Sequence, residues 1–154
     1  MASIFAKIGA IKGESSDSKH KDEVELLSWS WGVSQAVEPG GGSAGKASFL
    51  DFNFVHHIDK ASPVLMMACA TGEHIKDATI TVRKAGKGQQ EFLIFKMNDI
   101  IITSVRPSVK EGETTTTEDV TLRPTKVDFE YKPQKADGSL DAGVHFKYDI
   151  KLNK

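Results

Sequence analysis

Apolar residues alternate with polar ones along most of this chain, and a period of two commits a segment to a strand with one buried face and one wet face. Val144, Phe146, Tyr148, Ile150 and Leu152 alternate with His145, Lys147, Asp149 and Lys151. Ahead of them, Val127, Phe129 and Tyr131 alternate with Lys126, Asp128, Glu130 and Lys132. The connection, residues 133–143, carries Asp137-Gly138, a turn signal, so the two runs are expected to pair antiparallel. Leu50, Phe52, Phe54 and His56 mark a third strand, and Ala78, Ile80 and Val82 a fourth that turns at residues 85–88 into a fifth over 91–97. Leu27, Trp29, Trp31 and Val33 form one face of a further strand and are expected to face the core, because two indoles are large to leave in water. The period then assigns Ser28, Ser30 and Ser34 to the opposite face, which carries nothing long or charged.

One segment reads as a helix, over about residues 62–71. Ser62 is the expected N-cap, Pro63 sits at the first helical position where its missing N–H costs little, and Gly72 stands where a left-handed C-cap belongs. A helix this short is stable only when docked on the sheet, and Cys69 is expected at that contact. Residues 38–48 and 106–118 lack periodicity and read as loops, the second containing Thr114 to Thr117. The fold class is therefore mainly β: a small barrel or sandwich of antiparallel strands with one short flanking helix and an extended glycine-rich loop. At 154 residues, 1–154 is expected to be a single domain with one core.

Twenty Lys and Arg against 21 Asp and Glu give a net charge of −1, so there is no basic excess to neutralise phosphates and no nucleic-acid partner is expected. The single cysteine forms no intrachain disulfide, no stretch approaches a membrane span, and the first residues lack a basic region followed by an apolar one. A cytoplasmic protein without a signal peptide or membrane insertion is the expectation.

The segment Gly40, Gly41, Gly42, Ser43, Ala44, Gly45, Lys46, Ala47 comes within one residue of a phosphate-binding P-loop. Position 47 lacks the hydroxyl that holds Mg²⁺, and a strand follows where a helix should open, so it is read as a mobile loop that binds no nucleotide. His56, His57 and Asp59 are the densest set of metal-ligand types, yet neighbours on a strand point to opposite faces and cannot share one ion. His20 is expected in a solvated, charge-rich loop. The paired acids Asp22 with Glu23 and Glu118 with Asp119 are read as solvated, and the chain has no nucleophile elbow. No catalytic, metal or cofactor site is expected, and the chain is read as a non-enzyme. A monomeric small β-barrel that binds a ligand inside is one class these residues allow.

Several blocks carry a likeness to a known family. Lys12-Gly-Glu-Ser-Ser-Asp-Ser-Lys-His20, Glu23-Val-Glu-Leu-Leu-Ser-Trp-Ser-Trp-Gly32, Asp59-Lys-Ala-Ser-Pro63 and Arg83-Lys-Ala-Gly86 resemble the hemolysin-coregulated protein (Hcp) family of type VI secretion. So do Tyr131-Lys-Pro-Gln134, Asp137-Gly-Ser139 and Asp149-Ile-Lys-Leu-Asn-Lys154. The resemblance implies a β-barrel flanked by a helix, assembled into homo-hexameric rings that stack into a tube. It further implies a VgrG-type spike, a contractile sheath and effector cargo proteins as partners, and secretion by the machine itself. On this architecture Ser28, Ser30 and Ser34 are expected to face the lumen and its cargo, and Gly40, Gly41, Gly42, Ser43 and Lys46 to meet the next subunit or ring. The chain departs from the family pattern at Lys147-Tyr148-Asp149 and at residues 109–117, where a charged, Thr-rich run replaces a Gly/Ser-rich loop.

Overall fold

The computed structural model describes residues 3–43, 45–86 and 88–154. In chain order the elements are β1 (Ser3–Ile8), β2 (Val24–Leu26), β3 (Ser28–Ser30), β4 (Val33–Ser34), β5 (Ser48–Phe49), β6 (Phe52–His57), α1 (Ala61–Thr71), β7 (His74–Arg83), β8 (Glu91–Ser108), β9 (Thr117–Tyr131) and β10 (Val144–Asp149). Eight strands form one antiparallel sheet in the order β2-β1-β7-β8-β9-β6-β3, with β10 also on β9. Contacts between β2 and β6 bring the sheet nearly round into a barrel. The mainly-β class with one flanking helix is what the alternation calls for.

β9 organises the topology. One edge pairs with β8 from Leu93↔Tyr131 to Ser108↔Thr117. Its other edge is divided: β6 takes Thr117 to Leu122, and β10 takes Lys126 to Tyr131. The inward positions of these strands build the core. Phe52, Phe54, Phe95, Met97, Ile100, Ile102, Val120 and Leu122 are all buried, and Phe95 meets Phe52 edge-on with centroids 5.4 Å apart.

Four expectations need correcting. β8 and β9 run well past their apolar stretches, so residues 106–108, 117 and 118 are paired strand and the true connection is 109–116. The predicted tryptophan strand is broken into β3 and β4. Trp29 and Trp31 do pack against the core, but Leu27 and Val33 are half exposed, at 50% and 51%. The break falls at Trp31 and Gly32, where the chain leaves β6 and Val33 pairs with Phe49 instead. Leu50 is likewise outside a strand and exposed.

The helix begins one residue early, at Ala61, and Ser62 is not its cap. The Asp59 carboxylate accepts the Ala61 N–H at 2.9 Å, while Ser62 turns back so that its Oγ accepts the Asp59 N–H at 3.1 Å. Glu14, from the β1–β2 connection, accepts the Lys60 N–H at 2.7 Å. Gly72 ends the helix as expected, at φ 66°, with its N–H on the last turn's carbonyls. Ala61, Ser62, Leu65 and Ala68 are buried and the helix packs on β8, with the half-buried Cys69 against the core. Its outer side exposes Val64 and Met67 and carries no charge.

Candidate functional site

β3 places the two serines by its pairing with β6. Trp29 lies opposite Phe54 and turns inward, so Ser28 and Ser30, opposite Val55 and Asn53, lie on the outer face and are exposed. The ladder continues the face: Asn53 pairs with Thr121, and Thr121 with Ser104. One row across four strands thus reads Ser30, Asn53, Thr121, Ser104, and the next reads Ser28, Val55, Asp119, Arg106. Asn53 Nδ2 donates to Asp119, which fixes the amide in the row. Below it, Arg123 and Asp51 pair at 3.0 Å and the Thr103 hydroxyl donates to Asp51. The Ser30 row is hydroxyl and amide throughout and offers generic hydrogen bonds, flanked by charges of both signs in Asp119, Arg106 and the Arg123–Asp51 pair.

The expected set is only partly brought together. Ser28 and Ser30 share this surface, whereas Ser34 sits in the separate β4–β5 pair, opposite Ser48. Asn53, Thr121 and Ser104 escaped the sequence reading because their rows depend on register between strands distant in sequence.

The glycine-rich segment is a narrow arm rather than a shapeless loop. The Gly41 N–H donates to the Glu38 carbonyl at 3.0 Å, the Glu38 N–H to that of Gly42 at 2.6 Å, and Val37 bridges Ser43. Gly40 and Gly41 have φ of 104° and 97°, values that favour glycine, and Lys46 is exposed. Ala44 lies outside the described residues.

Two environments correct the reading of His20 and Glu118 as solvated. His56 and Glu118 are directly opposite on β6 and β9, both fully buried, with Nε2 and Oε1 2.8 Å apart. Asp59 Oδ2 lies 3.9 Å from His56 Nδ1, and burial raises the Asp59 pKa above the ordinary carboxylate value. The signal was present in sequence: Glu118 continues the inward period of Val120 and Leu122, as His56 continues that of Phe52 and Phe54. His20 is also buried. It stacks on Phe5 at 4.4 Å and faces Glu23 and Glu91 at 3.0 and 3.1 Å. Beside it, Arg83 holds Asp17 through two hydrogen bonds of 2.8 and 3.0 Å, which lower the Asp17 pKa to about 2. Among the described residues no group of three or more His, Cys, Asp or Glu could hold a metal ion. The acids and histidines here clasp strands together.

Known proteins resemble this chain along nearly its whole length. A family model described as type VI secretion system effector, Hcp, matches residues 5–131. Protein Hcp1 of Pseudomonas aeruginosa is 44% identical over 155 residues, spanning 97% of this chain and 96% of that protein. The crystal structure of Hcp1 from Salmonella typhimurium is 40% identical, covering 99% and 97% of the two chains with a TM-score of 0.83. A type VI secretion system effector from Yersinia pestis is 37% identical over 96% and 99% of the chains, at a TM-score of 0.79. The chain belongs to the Hcp family of type VI secretion. It is a structural protein of that system and not an enzyme.

Proposed function

We propose that this chain is the subunit of the type VI secretion tube: six copies close into a ring, rings stack, and effectors travel in the lumen. The observation that carries the reading is the hydroxyl and amide face spanning β3, β6, β9 and β8, with Ser28 and Ser30 exposed on it. A channel wall needs small groups that leave room and hydrogen-bond a passenger; the row supplies them, and the flanking Asp119, Arg106, Arg123 and Asp51 balance in sign. On this proposal Ser30 contacts cargo, and Ser34 lines the lumen from the β4–β5 pair. The arm with Gly40, Gly41, Gly42, Ser43 and Lys46 meets the next subunit or ring, and its turn reshapes on contact at little cost. A VgrG-type spike, the contractile sheath and effector proteins are the partners. The chain is held in the cytoplasm until assembly and leaves through the machine itself. Ring closure uses two different patches on each copy.

Light scattering tests assembly, with about six times the 16.8 kDa chain mass expected. Ser30→Gln should keep that mass and change stability by no more than ~0.5 kcal/mol, as for other exposed positions, while reducing co-purification of an effector. A ring broken by Ser30→Gln would put the residue at a subunit contact and refute the lumen placement.

A second reading, a monomeric barrel that binds a small apolar ligand, has one observation behind it. Trp29, Trp31, Val33, Phe129 and Phe146 line an apolar cleft of about 310 Å³. A persistent monomer in the same measurement favours that reading.

A further inference from the structure

The β8–β9 hairpin ends in an exposed arm. Residues 106–115 are all exposed: β7 leaves β8 after Ile101, and along the other edge the last contact is the Ile58 N–H donating to the Thr116 carbonyl at 3.1 Å. At the tip the Glu113 N–H donates to the Lys110 carbonyl at 3.2 Å, with Gly112 at φ 85°. The tip carries Glu111 and Glu113 with Lys110, a net charge of −1, next to Val109, which is 68% exposed. Neither glutamate is in a salt bridge among the described residues.

Elsewhere the same strands border an open groove of about 810 Å³ that includes His74, Lys76, Asp99, Lys126, Lys151 and Leu152. Its acids are already engaged. Asp99 takes His74 Nδ1 at 3.0 Å, and Asp149 accepts the Leu152 N–H at 2.9 Å with Lys126 Nζ 3.8 Å away. Lys76 and Lys151 are exposed and in no salt bridge among the described residues, and Leu152 is 61% exposed. The groove therefore offers two free cations beside an apolar side chain, and the tip offers two anions, only partly offset by Lys110, beside another.

The tip cannot fill the groove of its own chain. From Asn98 at the groove to Ser108 at the arm, β8 spans ten residues, or about 30 Å, and Ser108↔Thr117 pairing holds the hairpin extended. We infer that the 109–116 tip of one copy docks in the Lys76–Lys151–Leu152 groove of a second copy. The contact pairs Glu111 and Glu113 with Lys76 and Lys151, and Val109 with Leu152. It joins two different patches, as head-to-tail assembly needs, and it rests on the assembly reading above. It also gives the charged, Thr-rich run at 109–117 a role: the arm's length and charge select which copies join.

Charge reversal with rescue is the test. Lys151→Glu, the pair Glu111→Lys with Glu113→Lys, and all three together are compared with the unmodified protein by sedimentation velocity at low salt. Every changed side chain is exposed, and thermal melting checks that the fold is intact. Each one-sided reversal should weaken self-association about tenfold, and the combined variant should recover most of that loss. Association indifferent to the one-sided reversals, or a combined variant as weak as its two parts together, overturns the contact while leaving the ring standing. An unmodified chain that stays monomeric overturns the ring reading and the contact with it.

Discussion

The buried His56–Glu118 pair makes a sharp demand on stability. Both side chains are fully buried, one contact of 2.8 Å joins them, and His56 Nδ1 and Glu118 Oε2 have no hydrogen-bond partner. Removing one member leaves the other polar, buried and unpaired, which costs about 3–5 kcal/mol. Removing both with apolar side chains of similar volume discards the desolvation cost together with the attraction, and the two unsatisfied atoms, each worth about 1–3 kcal/mol, disappear as well. We therefore expect His56→Leu and Glu118→Leu each to lower the melting temperature by roughly 10 °C, at the 2–4 °C per kcal/mol usual for this chain length. The double variant should melt within a few degrees of the unmodified protein or above it. Assembly stabilises by mass action, so urea and thermal unfolding followed by circular dichroism must be run at one fixed protein concentration. A double variant that loses as much as the two singles summed would refute the argument, for additive losses mean that the two side chains are not coupled and that neither is stranded by loss of the other.

Two further expectations follow from the β1–β2 connection. Asp17 has its pKa lowered from 3.8 to about 2 by the Arg83 hydrogen bonds, so its clasp is complete above the ordinary value and is lost as pH falls towards 2. Hydrogen exchange of residues 12–22 should accelerate across that window beyond the intrinsic rate, and Asp17→Asn should remove the extra pH dependence; identical profiles for the two proteins would contradict it. A methyl at Gly13 would lie 2.6 Å from the Glu23 carbonyl oxygen, backbone against backbone, whereas one at Gly143 meets only the Glu130 side chain, which can turn aside by giving up its 3.2 Å contact with His145. Gly13→Ala should thus cost about 1–3 kcal/mol and Gly143→Ala less than ~1 kcal/mol, with equal losses in denaturant titration counting against the distinction.

Burial was legible in the sequence far better than pairing. Phe52, Phe54 and His56, or Phe95 and Met97, announce an inward face by their period, and the Gly72 stop to the helix is local chemistry. The arm over residues 106–108 is paired yet exposed, so it carries no apolar period and reads as loop; its hydrogen bonds come from register with β9 alone. His20 and Asp17 look solvated because their partners, Glu91 and Arg83, lie 71 and 66 residues away. The tryptophan strand misled for the opposite reason. Its alternation is unbroken across Gly32, but backbone partners change there, and no side-chain pattern records that. Of the hydroxyl face, Ser28 and Ser30 were visible, while Asn53, Thr121 and Ser104 joined them through the ladder.

The division of β9 between two neighbours sets an order of events on the ribosome. β6 pairs with β3 before it and with β9 after it, and β9 begins 60 residues beyond His57. At 5–20 residues per second, a nascent chain carries that edge, with Phe52 and Phe54 on it, for about 3–12 s before its partner is made. β1, β2 and β7 can pair in the meantime, since all of them precede residue 84. The exposed Phe52–Phe54–His56 edge is then the natural place for a chaperone to bind a growing chain, and for two nascent chains on one message to meet too early.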